Sequence, residues 1–429
     1  MEKYYVINKK MDNLTLYCPD RMKIYNIKES QVSDFEKFLE STPFIYTSQE
    51  EDEDKTVLNQ LTLDVCDTCN LQCKYCYANG GTYNKKTKYM TSSQMMSAYK
   101  QIINLYPKGI KHISYFGGEP LMNIRAIKEF TATVTQYAKE KGYVVPTFSL
   151  ITNGTLLTDK VLSFFKEYNF SVTVSLDGDK NLNDKNRVFQ NSDNSVFEIV
   201  KSNLNNNNSN YHVKIYCEST LTPDVYKQYK GNIYNYVKTF IDLGFEYFYP
   251  FPALGEKYDF DYAKEDIQNN IFKFYTDFTK IWLDSFVNEN SDLYFHIPLV
   301  ILSLVHAITS QQRIAPCKAG QNSVYYAPDN KFYICQMYYK DGTGSDAPIL
   351  NSTDSHQPFD GMCKECISKY TCSSWCPGNA YSLEYKHDGL DPRCILQKAT
   401  VNCILIWLTS LTKEQRILFS QRMKKLNNR

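Results

Sequence analysis

The chain has 429 residues, with 48 Lys and Arg against 47 Asp and Glu, so its formal net charge is +1. That balance offers no basic field for nucleic acid and no charged face for a membrane surface. Hydrophobic residues make up 43% of the chain, ample for sizeable cores, and a length of this order suggests about three structural units.

Residues 1–55 read as a small α+β extension: two β-like runs at 4–7 and 14–17 precede an amphipathic segment over 31–39, and the acidic stretch 50–54 reads as a linker. Residues 56–305 then alternate short β-rich runs with helical segments, which predicts βα units and a parallel sheet. In the first strand Leu61, Leu63 and Val65 alternate with Thr62 and Asp64. Its helix opens at Thr91, where Gln94 completes a capping box, and Met95, Tyr99, Ile102 and Tyr106 recur at helical spacing until Pro107 and Gly109 end the run. Further strands are expected at 111–116, 147–151, 171–176, 211–218 and 246–251. Six consecutive βα units form either a doubly wound sheet or an incomplete barrel, and periodicity leaves both open. In each case the loops after the strands collect on one face, bringing together Gly117-Gly118-Glu119-Pro120, Asn153-Gly154 and Asp177-Gly178. The Asn-rich run 203–210 reads as a solvated loop. The apolar stretch 297–308, interrupted by Pro298, Ser303 and His306, is too short to span a bilayer. Residues 306–429 are cysteine-rich, with helical periodicity returning at 397–408 and 413–423.

Of fourteen cysteines, four lie between Cys66 and Cys76 and seven between Cys317 and Cys394, while Cys18, Cys217 and Cys403 are scattered. The first residues carry no apolar signal segment. Clustered spacing without such a segment reads as metal ligation in a reducing cytoplasm, not as disulfides. Cys69-x3-Cys73-x2-Cys76 places three thiolates in the loop after the first strand. A structural zinc wants four ligands. Three suit a four-iron cubane with one iron open to another ligand. Cys66 offers a competing CxxC with Cys69, and is either a packed thiol or a ligand.

With this loop the sequence resembles the radical S-adenosylmethionine (SAM) superfamily, whose CxxxCxxC pattern it matches without change. The resemblance implies a partial (β/α)6 TIM-like barrel. It also implies a [4Fe-4S] cluster on Cys69, Cys73 and Cys76 whose open iron binds SAM, and reductive cleavage of SAM to a 5′-deoxyadenosyl radical. Tyr75 matches an aromatic position near the adenine. Gly117, Gly118 and Glu119 match the GGEP motif that holds the SAM ammonium; glycines allow close backbone approach and a carboxylate suits an ammonium. ITNGTLL and VSLDG resemble segments lining the SAM ribose and carboxylate, which implicates Asn153, Ser175 and Asp177, with Arg187 on the carboxylate. Ordinary turn chemistry is the competing account of these four.

The C-terminal spacing Cys317-x17-Cys335, then Cys363-x2-Cys366-x5-Cys372-x3-Cys376-x17-Cys394, exceeds one zinc site; two metal centres or two zinc ribbons remain. It resembles the SPASM extension of radical SAM peptide-modifying enzymes. By position the resemblance assigns Cys363, Cys366, Cys372 and Cys394 to an outer auxiliary cluster and Cys317, Cys335 and Cys376 to an inner one, making three [4Fe-4S] clusters in all. A fourth inner ligand is not evident, since the position some relatives use is Ser323. The inner iron is then open to a substrate thiolate, or is completed by Cys217, Cys403 or water. Asn330 replaces a family glycine and is expected to keep its left-handed turn.

The expected function is a peptide maturase that crosslinks a ribosomally made precursor peptide through a Cys thioether, with a flavodoxin- or ferredoxin-type reductant. Anaerobic sulfatase maturases resemble the chain over the same two domains but carry an Asp where this chain has Gln336, which cannot usefully accept a proton. From another class, an iron–sulfur electron carrier or a zinc-stabilised interaction protein remains. The N-terminal extension is expected either to bind a leader peptide by strand addition or to cap the barrel.

Overall fold

A computed structural model describes residues 4–42, 54–229, 231–253, 264–288, 291, 293, 296–314, 317, 319–339, 342–349, 363–372 and 392–427. At the N-terminus β1 (Tyr5–Lys10), β2 (Asn13–Cys18) and β3 (Lys23–Lys28) form an antiparallel sheet, followed by α1 (Val32–Ser41). Alternation in β2 turns Leu14, Leu16 and Cys18 toward Phe35 and Leu39 of α1, and these residues make a small core of their own. The sequence pattern announced two of these strands. The third escaped because the turn into it bends at Met22, with φ 49°, a conformation usually signalled by Gly or Asn. The linker residues 50–53 lie outside the described residues.

Six parallel strands follow: β4 (Val57–Asp64), β5 (Gly109–Phe116), β6 (Thr147–Thr152), β7 (Ser171–Ser175), β8 (Lys214–Leu221) and β9 (Phe248–Pro252). Between them run α2 (Ser92–Ile103), α3 (Ile124–Lys141), α4 (Asp159–Glu167), α5 (Lys180–Asn186), α6 (Val196–Asn206), α7 (Pro223–Gln228) and α8 (Ile233–Asp242). The strands lie side by side in chain order. A doubly wound sheet reverses its strand order to place helices on both faces. Uninterrupted order with right-handed crossovers puts every helix on one face, so the fold is the incomplete barrel.

Side-chain alternation matches that geometry. Leu61, Leu63, Ile113, Phe148, Leu150, Val172 and Val174 are buried beneath the helices. The opposite parity is polar: the His112 ring nitrogens pair with Thr147 Oγ1 and Ser149 Oγ, both at 2.8 Å, and Ser149 Oγ donates to Ser114 Oγ at 3.1 Å. The capping box of α2 forms as expected, with Gln94 N donating to Thr91 Oγ1 at 3.2 Å and Thr91 N to Gln94 Oε1 at 2.8 Å.

Beyond α9 (Glu265–Phe286) and α10 (Leu299–Ser310), the C-terminal segment rejoins the sheet. Its β10 (Ser323–Tyr326) pairs in parallel with β4, and β11 (Phe332–Tyr333) pairs antiparallel with β10, giving eight strands in the order β11-β10-β4-β5-β6-β7-β8-β9. In the connecting turn Asn330 has φ 65°, the left-handed conformation expected of it. Finally α11 (Pro392–Ser410) packs along α9, and α12 (Lys413–Asn427) follows. Among the described residues no helix is long and apolar enough to cross a membrane.

The Asn-rich run is not a loop. It continues α6 and closes in a π-helical turn, Asn207–Tyr211. Asn207 is buried because its side-chain amide pairs with Val213 in both directions, Nδ2 to O and N to Oδ1, each at 3.0 Å. A side chain that imitates a backbone partner satisfies its own polarity and can enter the core.

Candidate active site

The loop after β4 carries Cys69, Cys73 and Cys76 and is zipped to the loop after β5. Val65 N donates to Phe116 O at 2.8 Å, Gly118 N to Cys66 O at 2.9 Å and Glu119 N to Thr68 O at 2.7 Å. Glycine is required where the backbones touch. A Cβ on Gly118 would stand 2.1 Å from Thr68 O, and one on Gly81 would stand 2.3 Å from Gly118 Cα. Cys66 is buried here and donates to Glu119 O at 3.2 Å, the behaviour of a packed thiol.

Nitrogen donors face the three sulfurs. Leu71 N lies 3.3 Å from Cys69 Sγ, Gly80 N 3.3 Å from Cys76 Sγ, Asn153 Nδ2 3.7 Å from Cys69 Sγ and Arg187 Nη1 3.9 Å from Cys73 Sγ. Burial pushes the Cys69 thiol up to about 12, reinforced by Glu119, and the Cys73 thiol up to about 11 against the pull of Arg187. Thiols that are desolvated yet surrounded by sulfur-directed donors suit a cationic iron–sulfur group, which takes up the thiolate charge that burial alone opposes.

Glu119 is fully buried and accepts from Thr152 Oγ1 at 2.7 Å, Asn153 N at 2.7 Å and Leu121 N at 3.0 Å. Burial still pushes its carboxyl up to about 7. Asn153 links both motifs, since its Nδ2 also donates to Asn70 Oδ1 at 2.8 Å. Deeper in the wall, Arg187 Nε donates to Asp177 Oδ1 at 3.0 Å, Tyr75 Oη donates to Asp177 Oδ2, Thr220 N donates to Asp177 Oδ1 at 3.2 Å, and the guanidinium lies over the Tyr75 ring at 5.4 Å.

These groups surround a cavity of about 520 Å³. Its wall includes Cys69, Cys73, Cys76, Tyr75, Gly117, Gly118, Glu119, Asn153, Ser175 and Arg187. Asp177 is the exception among the residues singled out from sequence. It is fully buried and does not line the cavity; its oxygens are taken by Arg187, Tyr75 and Thr220, which it holds in place in the wall. Tyr77, Glu218, Thr220, Phe251, Met337, Arg393 and Leu396, which sequence motifs do not single out, also line the cavity. Gln336, the residue after Cys335, also faces it.

The C-terminal cysteines divide. Cys363, Cys366 and Cys372 share one short loop, and burial followed by the proximity of Cys366 and Cys372 pushes the Cys363 thiol up to about 11. Gln397 Nε2 donates to Thr371 O at 2.7 Å, and Ser368 Oγ donates to Gln397 O at 3.4 Å. These bonds hold the loop against α11, whose first turn carries Cys394. Cys317 is exposed, and Cys376 lies outside the described residues. The two scattered thiols offered for the inner cluster are committed elsewhere: Cys217 is buried and donates to Leu176 O at 3.6 Å, and Cys403 donates to Thr276 O at 3.5 Å between α11 and α9. Neither lines the cavity.

The N-terminal sheet braces the same loop. Tyr5 Oη donates to Glu365 O, and Lys369 Nζ pairs with Asp20 at 2.5 Å, with side-chain exposures of 13% and 19%. Asp20→Asn is expected to speed amide hydrogen exchange over residues 366–372 by about tenfold, consistent with losing a charge-assisted hydrogen bond worth roughly 1.5 kcal/mol; unchanged exchange would show the brace to be idle.

The radical SAM superfamily profile matches residues 63–206. The chain carries a radical SAM domain. Over 303 residues it is 27% identical to the radical SAM cyclopropyl synthase TigE of Paramaledivibacter caminithermalis, covering 63% of this chain and 57% of that protein. It is 27% identical over 349 residues to a cysteine-type anaerobic sulfatase-maturating enzyme of Clostridium novyi, covering 75% of this chain and 88% of that one. The solved structure of anSMEcpe with bound AdoMet, another name for SAM, superposes with a TM-score of 0.65 at 19% identity, over 85% of this chain and 98% of that one. Its complex with AdoMet and the Cp18Cys peptide superposes at 0.62, at 19% identity, over 87% of this chain and 99% of that one. The superpositions show a shared fold, and the superfamily matched over residues 63–206 implies a [4Fe-4S] cluster and SAM.

Proposed function

We propose that this chain is a radical SAM peptide maturase that crosslinks a ribosomally made precursor peptide, forming a Cys thioether. The observation that carries the reading is the single cavity in which the CxxxCxxC loop, the GGEP loop and Gln336, next to Cys335, meet. Cys69, Cys73 and Cys76 would hold the cluster, which would supply the electron for reductive cleavage of SAM to methionine and a 5′-deoxyadenosyl radical. The chain's own residues prepare the site: Gly117 and Gly118 let a ligand approach the backbone, Glu119 receives its ammonium, and Asn153, Ser175 and Arg187 form the wall around the rest.

Residues 56–305 would form the radical SAM barrel and residues 306–429 a SPASM domain. In that domain Cys363, Cys366, Cys372 and Cys394 would hold an outer cluster, and Cys317, Cys335 and Cys376 an inner one with an iron open to the substrate sulfur. A flavodoxin or ferredoxin would deliver electrons, and residues 1–55 would receive the leader peptide along the sheet. A peptide substrate accords with the Cp18Cys complex of anSMEcpe.

The test is mass spectrometry of a Cys-containing peptide encoded beside this gene, incubated with reconstituted protein, SAM and reductant. A product two hydrogens lighter whose thiol no longer alkylates is expected. The match to 88% of a sulfatase-maturating enzyme keeps formylglycine formation as a second reading; an aldehyde in place of the cysteine would establish it. A lighter product with a free thiol would point to a carbon–carbon bond, in the manner that the cyclopropyl synthase's name describes.

Glu119 gives this reading a pH signature. A carboxyl whose proton is held up to about 7 is neutral below that pH, and only its ionised form attracts an ammonium. SAM affinity is therefore expected to fall by about tenfold per pH unit below 7 and to level off above it. Glu119→Gln is expected to flatten the profile at its low end, as isothermal titration would read.

A further inference from the structure

Among the described residues that line the cavity, one proton acceptor makes no side-chain hydrogen bond or ion pair. Cys69, Cys73 and Cys76 are assigned to the cluster. Glu119 accepts from Thr152, Asn153 and Leu121. Tyr75 donates to Asp177, and Arg187 is paired with the same carboxylate. Arg393 has no acceptor capacity, Gln336 is an amide, and a tyrosine such as Tyr77 is protonated near neutral pH. Glu218 alone remains: exposed to the cavity it lines, it makes no side-chain hydrogen bond or ion pair with a described residue.

Strand parity puts it there. On β8 the buried Cys217, Ser219 and Leu221 face the helices, while Glu218 and Thr220 face the cavity. Register places Glu218, in the C-terminal half of β8, between Ser175, the last residue of β7, and Tyr249 of β9, toward the end of the sheet where barrels hold their chemistry. Desolvation raises its carboxyl above the ordinary glutamate range, with Arg187 pulling the other way, which brings a general base nearer the working pH.

We propose that Glu218 is the catalytic base, taking the proton that the substrate loses as the new bond closes. The assignment rests on the maturase reading. Joining a substrate carbon to a substrate thiol breaks C–H and S–H and forms C–S. The C–H hydrogen leaves as an atom to the carbon-centred radical derived from SAM, the S–H proton goes to the Glu218 carboxylate, and the remaining electron goes to an oxidised iron–sulfur cluster. Atoms and electrons then balance.

The experiment compares reconstituted full-length wild type, Glu218→Gln and Glu218→Asp with SAM and the neighbouring-gene peptide. Peptide Kd is measured without SAM, and transfer of substrate deuterium into 5′-deoxyadenosine is followed alongside product. In E218Q, peptide Kd is expected within about twofold of wild type and deuterium transfer to persist, while crosslinked product falls by at least about a hundredfold; E218D is expected to recover part of it. Product within about threefold of wild type in E218Q would overturn the assignment, as would loss of peptide or SAM binding in place of the product step. A wild type that yields no product overturns the maturase reading and this assignment with it; a productive wild type with an unimpaired E218Q overturns the assignment alone.

Discussion

Asp177→Ala is expected to destabilise the protein by about 3–5 kcal/mol, because it strips a buried guanidinium of its counter-ion. Asp177 is fully buried and Arg187 is 6% exposed, with Nε and Oδ1 3.0 Å apart. Tyr75 Oη and Thr220 N also donate to the carboxylate, so the substitution leaves three donors without their acceptor. Arg187→Met inverts the damage by stranding the carboxylate. The double variant removes both charges and is expected to recover part of the loss, since groups that share one network are not additive. Urea denaturation of the three variants reads this directly. If the double variant loses the sum of the singles, the pair is not coupled and the wall does not depend on it.

This pair also marks where sequence reading stopped. Asp177 and Arg187 flank α5, and the resemblance implicates both in meeting SAM. Spacing along a chain places two residues near one site but does not say which stands in front of the other. Burial puts Asp177 behind Arg187 in the cavity wall. The local motifs were legible because their chemistry is local: the cluster loop, the GGEP turn and Asn153-Gly154 each declare themselves within a few residues. Glu218 on β8 and the pair Arg393 and Leu396 on α11 come from segments far from those motifs and share none with them. Parity alone could have raised Glu218, since it alternates with the apolar Cys217 and Leu221 on a strand whose polar face had to line the cavity.

The fold divided along similar lines. The six central strands were legible from alternation, because their helix-covered face demands apolar residues at every second position. Barrel and doubly wound sheet differ only in strand order, which no single strand encodes. The addition of β10 and β11 was hidden for a related reason. These strands are 4 and 2 residues long, too short for a period, and β10 pairs with a strand some 260 positions earlier in the chain. That pairing is nonetheless what brings Gln336 to the wall.

Gly118→Ala is expected to cost about 3 kcal/mol, at the upper end for overpacking. The added methyl would fall 2.1 Å from Thr68 O and 2.4 Å from Thr68 C. Both are backbone atoms, so no side chain can swing aside. Relief requires the cluster loop and the GGEP loop to part, which breaks the bonds from Gly118 N to Cys66 O and from Glu119 N to Thr68 O. Gly142→Ala is the natural comparison. Its Cβ meets nothing within 4 Å, although φ is +71°, so it is expected to cost only about 1 kcal/mol in backbone strain. Denaturation midpoints of the two variants, with amide exchange at Gly118 and Glu119 in the wild type, separate contact from conformation. Equal losses would mean that the loops tolerate separation. A threefold larger loss at Gly118 would mean that the cluster loop is held in place by a backbone contact that glycine alone permits.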